Sequence, residues 1–207
     1  HQIREARLSG RAPDTLLLLE HPPTITFGRR SGAGEMLMPR EELVRQGFEF
    51  HEIERGGKAT YHGPGQLVGY PIVSLRELGL DVPRFVRLLE QTLMDYLAGV
   101  GLSAQRRPGF PGVWVGGRKI GAVGVHLKRW VSIHGFALNL CPDLKHFEAI
   151  VPCGIEDAEV TSVEAQQGRS RRWGGMAVAK EGVAKSFSRA FGYERIDVAA
   201  DQPISSG

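Results

Sequence analysis

Between residues 112 and 140, three apolar segments, GVWV, KIGAVGVHLKR and VSIHGFALNL, follow one another with only a few residues between them. A parallel crossover needs a connection of about a dozen residues or more, so segments this close are restricted to antiparallel hairpins. The centre of the chain is therefore committed to a meander. Helices are expected on either side of it. Phe85, Leu88, Leu89, Leu93, Tyr96 and Leu97 recur at steps of three and four, Pro83 suits a first turn, and Gly99 is expected to end the run. A second stripe, Ala179, Val183, Phe187, Ala190 and Phe191, stops at Gly192. Nearer the start, DTLLLLEHPP and TITFG read as strands parted by a Pro pair, PREELVRQG as a short helix closed by Gly47, and FEFHEI as an alternating strand. The expected class is α/β in the broad sense and α+β in detail, with mixed β-sheets flanked by helices.

A chain of 207 residues that is 42% hydrophobic can bury one sizeable core, and a single domain over residues 1–207 is expected. No run approaches the ~20 apolar residues of a membrane span, and the start lacks a signal-peptide layout, so a soluble protein without a membrane partner is expected. The chain begins at His1 rather than Met, and residues preceding it are expected. Two cysteines, Cys141 and Cys153, are too few for a disulfide scaffold and favour a reducing, cytoplasmic location. Net charge is +3 and the isoelectric point about 9.0, with arginines clustered in GRR and GRSRRW. These clusters read as a solvated face or as docking for an acidic partner. No nucleic-acid-binding signature accompanies them, so nucleic acid is not an expected partner.

Four segments carry possible chemistry. In FEAIVPCGIEDAEVTS, Cys153 stands between Pro152 and Gly154. Buried cysteine usually sits inside an element as a small hydrophobe, whereas a Pro-Cys-Gly corner holds the thiol on irregular backbone, which makes it a candidate nucleophile. RGGKATYHGPGQLVGYP is a glycine-dense loop running into a strand, either a hairpin corner or a loop whose backbone approaches a ligand, with Arg55, Lys58 and His62 as its polar heads. It is no phosphate loop: Val68 breaks G-x-G-x-x-G, and GVWVGGRK has Arg118 where a nucleotide-binding loop needs lysine. In GGRKIGAVGVHL, Lys119 reads either as a solvated strand end or as a partly desolvated base beside Gly121, Ala122 and Gly124. In SIHGFALNL, His134 reads as a core residue or a catalyst, and the sequence leaves both open.

Together, RGGKATYHGPGQLVGYPI, RKIGAVGVHLKRWVSIHGFALNL and FEAIVPCGI, with the earlier LLLLEHPPTITFGRR, resemble the signature blocks of the octanoyltransferases, the lipoyl(octanoyl) transferases of lipoate biosynthesis. The resemblance runs from about residue 14 to 163. It implies a catalytic domain of the biotin/lipoate protein ligase type. It further implies transfer of an octanoyl group from octanoyl-acyl carrier protein to a lysine of lipoyl domains, those of the E2 subunits of 2-oxoacid dehydrogenases and of the glycine cleavage H protein, with no cofactor and no metal. Cys153 matches the family's acyl-thioester nucleophile and Lys119 the residue that lowers its pKa. Three stretches match the segments lining the substrate: Arg55, Gly56, Gly57, Lys58, Ala59, Thr60, Tyr61 and His62; then Ala122, Val123 and Gly124; then Gly135, Phe136 and Ala137. Ala122 stands where the family often has serine, so a hydroxyl hydrogen bond is absent. Cys141 matches no functional position.

The chemistry is self-consistent. A thiolate attacking a thioester exchanges one thioester for another, and transfer to an amine then runs downhill to an amide without ATP. A cation beside Cys153 favours the thiolate. Two rivals remain: an ATP-dependent lipoate or biotin ligase in which the cysteine is incidental, and a non-enzymatic module that holds an acyl carrier.

Overall fold

The computed structural model describes residues 1–32, 34–151, 159–168 and 173–199. Among these, the strands form a six-stranded sheet in the order β1-β5-β9-β8-β7-β6 and a three-stranded sheet in the order β3-β2-β4. The large sheet is antiparallel throughout and consists of β1 (Thr15–Leu19), β5 (Gln66–Ile72), β6 (Gln105–Arg107), β7 (Phe110–Val115), β8 (Arg118–Lys128) and β9 (Val131–Asn139). The expected meander is β7-β8-β9. Its turns are as short as the sequence requires, and the second places Arg129 and Trp130 at positive φ.

The small sheet is mixed. β2 (Thr24–Phe27) runs parallel to β3 (Glu49–Glu52) and antiparallel to β4 (Thr60–His62). A crossover containing α2 (Arg40–Arg45) joins the parallel pair, as a parallel pair demands.

Two helices cover one face of the large sheet. In α3 (Val82–Gly99), the Asp81 carboxylate accepts from the Arg84 N–H at 2.7 Å and caps the first turn, with Pro83 immediately inside. The helix includes Gly99, which was expected to end it; the left-handed residue that turns the chain is Gly101, at φ +83°. In α5 (Met176–Phe191), left-handed Gly192 ends the helix as expected. Phe85, Leu89, Leu93 and Leu97 of α3 pack with Ala179, Val183 and Phe187 of α5 over Leu67, Val113, Ile120 and Leu138 of the sheet. A second core, Ile25, Leu43, Phe48, Ala59, Tyr61, Phe147 and Ile150, lies against the small sheet.

β5 and β9 are buried along most of their length because both faces are covered, one by the helices and the other by a cleft toward the small sheet. Where they pair, a Cβ on Gly135 would stand 2.3 Å from the Gly69 carbonyl oxygen. The glycine there is what lets two backbones approach beneath that cleft.

Candidate active site

The cleft between the sheets is a cavity of about 360 Å³, within the size range of small-molecule sites. Its floor is β5, β8 and β9, its roof the loop from Ile53 to His62, and its end wall Val86, Phe110 and Pro111. Of the residues singled out in the sequence, Arg55, Gly56, Gly57, Lys58, Thr60, His62, Lys119, Ala122, Val123, Gly124, Gly135, Phe136 and Ala137 line it. Ala59 and Tyr61 do not. Alternate residues of a strand face opposite ways, so Thr60 and His62 face the cavity while Tyr61 enters the second core. There its hydroxyl pairs with His146 Nδ1 at 2.8 Å. Cys153 lies outside the described residues.

Lys119 is set by its hairpin. It opposes Trp114 across a register shift between β7 and β8, is only 7% exposed, and places Nζ 5.4 Å from the Trp114 ring centroid. Of the two readings of this lysine, the solvated strand end is thereby corrected: the apolar ring and sheet remove it from bulk water. Gly112, at φ +127°, makes room, since a Cβ there would stand 2.9 Å from Lys119 Cε and 2.4 Å from the Gly121 carbonyl oxygen. The Lys119 backbone is tied on its other side, with its N–H donating to the Glu159 carbonyl at 2.8 Å and its carbonyl accepting from Thr161 at 2.9 Å.

The segment that contains Cys153 leaves the described residues at Val151 and re-enters at Glu159, beside Lys119. Val151 donates to the Glu35 carbonyl at 2.9 Å, and the Glu35 carboxylate accepts from Ala59 at 2.7 Å. One end of the segment is thus fixed to the roof loop through Glu35 and the other to Lys119.

The Arg55 head, one of the polar heads expected on the loop, turns inward. Nη2 donates to the Thr26 carbonyl at 2.7 Å and its hydroxyl at 2.8 Å, and Nη1 to the Lys58 and Gly56 carbonyls at 2.7 and 3.2 Å. The reason is local: glycines at 56 and 57 leave backbone carbonyls unshielded, and a guanidinium carries enough donors to gather several of them. Arg55 therefore pins the roof loop to β2.

The cavity-lining rings of His62, Tyr70 and His134 form a run together with His21. His62 lies 5.9 Å from His21, His21 Nε2 pairs with the Tyr70 hydroxyl at 2.6 Å, and the Tyr70 ring lies 6.3 Å from His134. Burial pushes His62 and His134 down to about 4, with the Arg55 cation adding to the effect on both, and pushes Tyr70 up to about 12. His134 sits at φ +61° within β9, an unusual conformation for a residue other than glycine. Tyr70 was not singled out in the sequence, although Val68 and Tyr70 share a face of β5; the alternation was the available signal.

The depressed His62 predicts a pH dependence of folding. Its neighbours are Gln66, His21, Arg55 and His134. The unfolded imidazole takes up its proton near 6.5 and the folded one only near 4. Between these values the unfolded chain binds more protons, so stability falls as the pH falls. The full shift corresponds to about 3 kcal/mol. Denaturant titrations at pH 7 and pH 4.5 should show His62→Gln losing clearly less stability over that interval than the parent; equal losses would mean that His62 is not held neutral.

Among the described residues, no group of three or more His, Cys, Asp or Glu side chains could hold a metal ion, and no helix is long and apolar enough to cross a membrane.

Residues 1–188 match the lipoyl protein ligase A/B catalytic domain family. An octanoyltransferase of Myxococcus xanthus is 47% identical over 203 residues, covering 95% of this chain and 56% of that protein. One of Solibacter usitatus is 47% identical over 195 residues, covering 94% of this chain and 86% of that protein. The chain thus spans just over half the length of the first relative and most of the second. Among solved structures, the bi-partite lipoate protein ligase of Thermoplasma acidophilum superimposes with a TM-score of 0.73 at 17% identity, over 96% of this chain and 80% of that one. At that identity the likeness is one of fold.

Proposed function

The chain belongs to the octanoyltransferases of the lipoyl protein ligase A/B catalytic family, and from that premise we propose that it moves an octanoyl group from an acyl carrier protein thioester, through Cys153, to a lysine of a lipoyl domain. The observation that carries the reading is the placement of Lys119. It is buried at the cavity, and the segment bearing Cys153 returns to the described structure hydrogen-bonded to its backbone.

The proton count closes. The resting pair is a Cys153 thiolate and a Lys119 ammonium. The thiolate attacks the donor carbonyl, a new carbon–sulfur bond forms, and the carrier sulfur leaves with the proton of Lys119. Lys119 is now a neutral amine. As the acceptor amine attacks the acyl-enzyme, the carbon–nitrogen bond forms, Lys119 takes the released proton, and the Cys153 thiolate departs. The ion pair is restored without ATP. Val68, Val123, Val125, Phe136 and Ala137 supply apolar lining, and burial of a hydrocarbon tail contributes about 0.8 kcal/mol per CH₂. The E2 lipoyl domains of 2-oxoacid dehydrogenases and the glycine cleavage H protein are the acceptors this reading names. In this reading residues 1–207 act as one domain, in the cytoplasm.

The test is intact-protein mass spectrometry after incubation with octanoyl carrier protein. One octanoyl adduct is expected, mapping to Cys153, with Cys153→Ala unmodified and inactive. Labelling at Cys141 would overturn the assignment of Cys153, and transfer that proceeds only with ATP would overturn the proposal in favour of a ligase.

A further inference from the structure

His62 joins a hydrogen-bond chain that leads back to Lys119. The Lys119 carbonyl accepts from Thr161 at 2.9 Å, and the Thr161 carbonyl accepts from Asn139 Nδ2 at 3.0 Å. Asn139 Oδ1 accepts from Gln66 Nε2 at 2.9 Å, and Gln66 Oε1 lies 2.7 Å from His62 Nδ1. The direction of the chain is forced. Asn139 faces a backbone carbonyl, which can only accept, so its nitrogen is on that side and its oxygen faces Gln66. Gln66 Nε2 likewise donates to the Tyr61 carbonyl at 3.2 Å. Gln66 Oε1 is therefore an acceptor, and His62 Nδ1 must carry the proton. That leaves Nε2 with its lone pair. Nε2 bonds to no described residue, and it is not among the buried polar atoms cut off from both water and a partner, so on a ring that lines the cavity it opens inward.

A lone pair so placed accepts a hydrogen bond from whatever donor enters. The octanoyl chain and its thioester carbonyl have no donor to offer. The incoming lysine amine has. We infer that His62 Nε2 accepts an N–H of the acceptor lysine and so aims the nitrogen lone pair at the acyl-enzyme carbonyl. This role rests on the function proposed above. His62 stays neutral at working pH and is too weak a base to take the amine's proton, which goes to Lys119; it positions the nucleophile. The acceptor amine and the buried lysine then meet from two walls, and the four-bond chain through Gln66, Asn139 and Thr161 holds those walls in register.

Two measurements test this. In protein labelled with ¹⁵N at histidine, the His62 ring should show a protonated Nδ1 and a bare Nε2, unchanged from pH 5.5 to 8. The opposite tautomer, or titration near 6.5, would overturn the assignment. In single-turnover kinetics, His62→Ala should slow transfer to a lipoyl domain about 10²-fold more than it slows formation of the Cys153 thioester. Added imidazole should restore part of that loss, and His62→Gln, whose carbonyl can accept, should lie between the two. Both half-reactions slowing together in a folded variant, or transfer unaffected, would make His62 a lining residue only. If the parent itself forms no acyl-enzyme, the proposed function fails and this role with it, an outcome told apart because the parent rather than the variant is at fault.

Discussion

Lys119→Ala is expected to slow transfer of the octanoyl group to a lipoyl domain by about 10²–10⁴-fold, the range for loss of a positioned acid–base group. Under the proposed mechanism both half-reactions should suffer, because the alanine removes the cation that would favour the thiolate and the base that would receive the amine proton. Acylation should recover as the pH rises through the range of an unassisted thiol. Lys119→Arg separates the two roles. A guanidinium keeps the charge and cannot be deprotonated, so acyl-enzyme should form and then accumulate. The site is narrow, however: a Cβ on Gly112 would stand only 2.9 Å from Lys119 Cε. Thermal melting must first show that the arginine variant is folded. A folded Lys119→Arg enzyme that completes transfer at the parent rate would remove Lys119 from the role of base.

Arg55→Ala is expected to destabilise the fold by about 3 kcal/mol, which for a chain of this size lowers the melting temperature by about 6–12 °C. The cost comes from the Thr26, Lys58 and Gly56 carbonyls that lose their donor, two of them lying within the loop that roofs the cavity. Thr26→Val, which removes only the hydroxyl acceptor, should cost about 1 kcal/mol. Arg55→Lys should resemble the alanine variant, because one ammonium cannot span carbonyls on both the strand and the loop. A melting temperature for Arg55→Ala within a degree or two of the parent would mean that the guanidinium does not hold the roof to β2.

The elements that were legible in the sequence are those whose signal is local. The β7-β8-β9 meander follows from spacing alone, and α3 and α5 follow from a 3.6-residue stripe with a capping residue. β4 and β6, at three residues each, are too short to show a period. The inward turn of Arg55 depends on Thr26, 29 positions away, and the burial of Lys119 on Trp114 and on the pairing with residues 159–161. Neither partner is visible from the loop itself. The resemblance placed the 55–62 stretch at the site as a block; strand alternation then divides it, sending Thr60 and His62 inward and Tyr61 away. His62 shows the limit most plainly: its residue type suggested a role, but which of its nitrogens is bare is decided by two backbone carbonyls, that of the adjacent Tyr61 and that of the distant Thr161.

The run of polar rings along the cavity wall also determines what a pH–rate profile of this protein would mean. His62 and His134 change charge only near 4 and Tyr70 only near 12. Across the interval between them these three rings keep one charge state. An inflection of turnover within that interval therefore comes from some group other than these three rings. Histidines on a cavity wall would ordinarily blur such a profile; His62 and His134, held neutral by burial, do not.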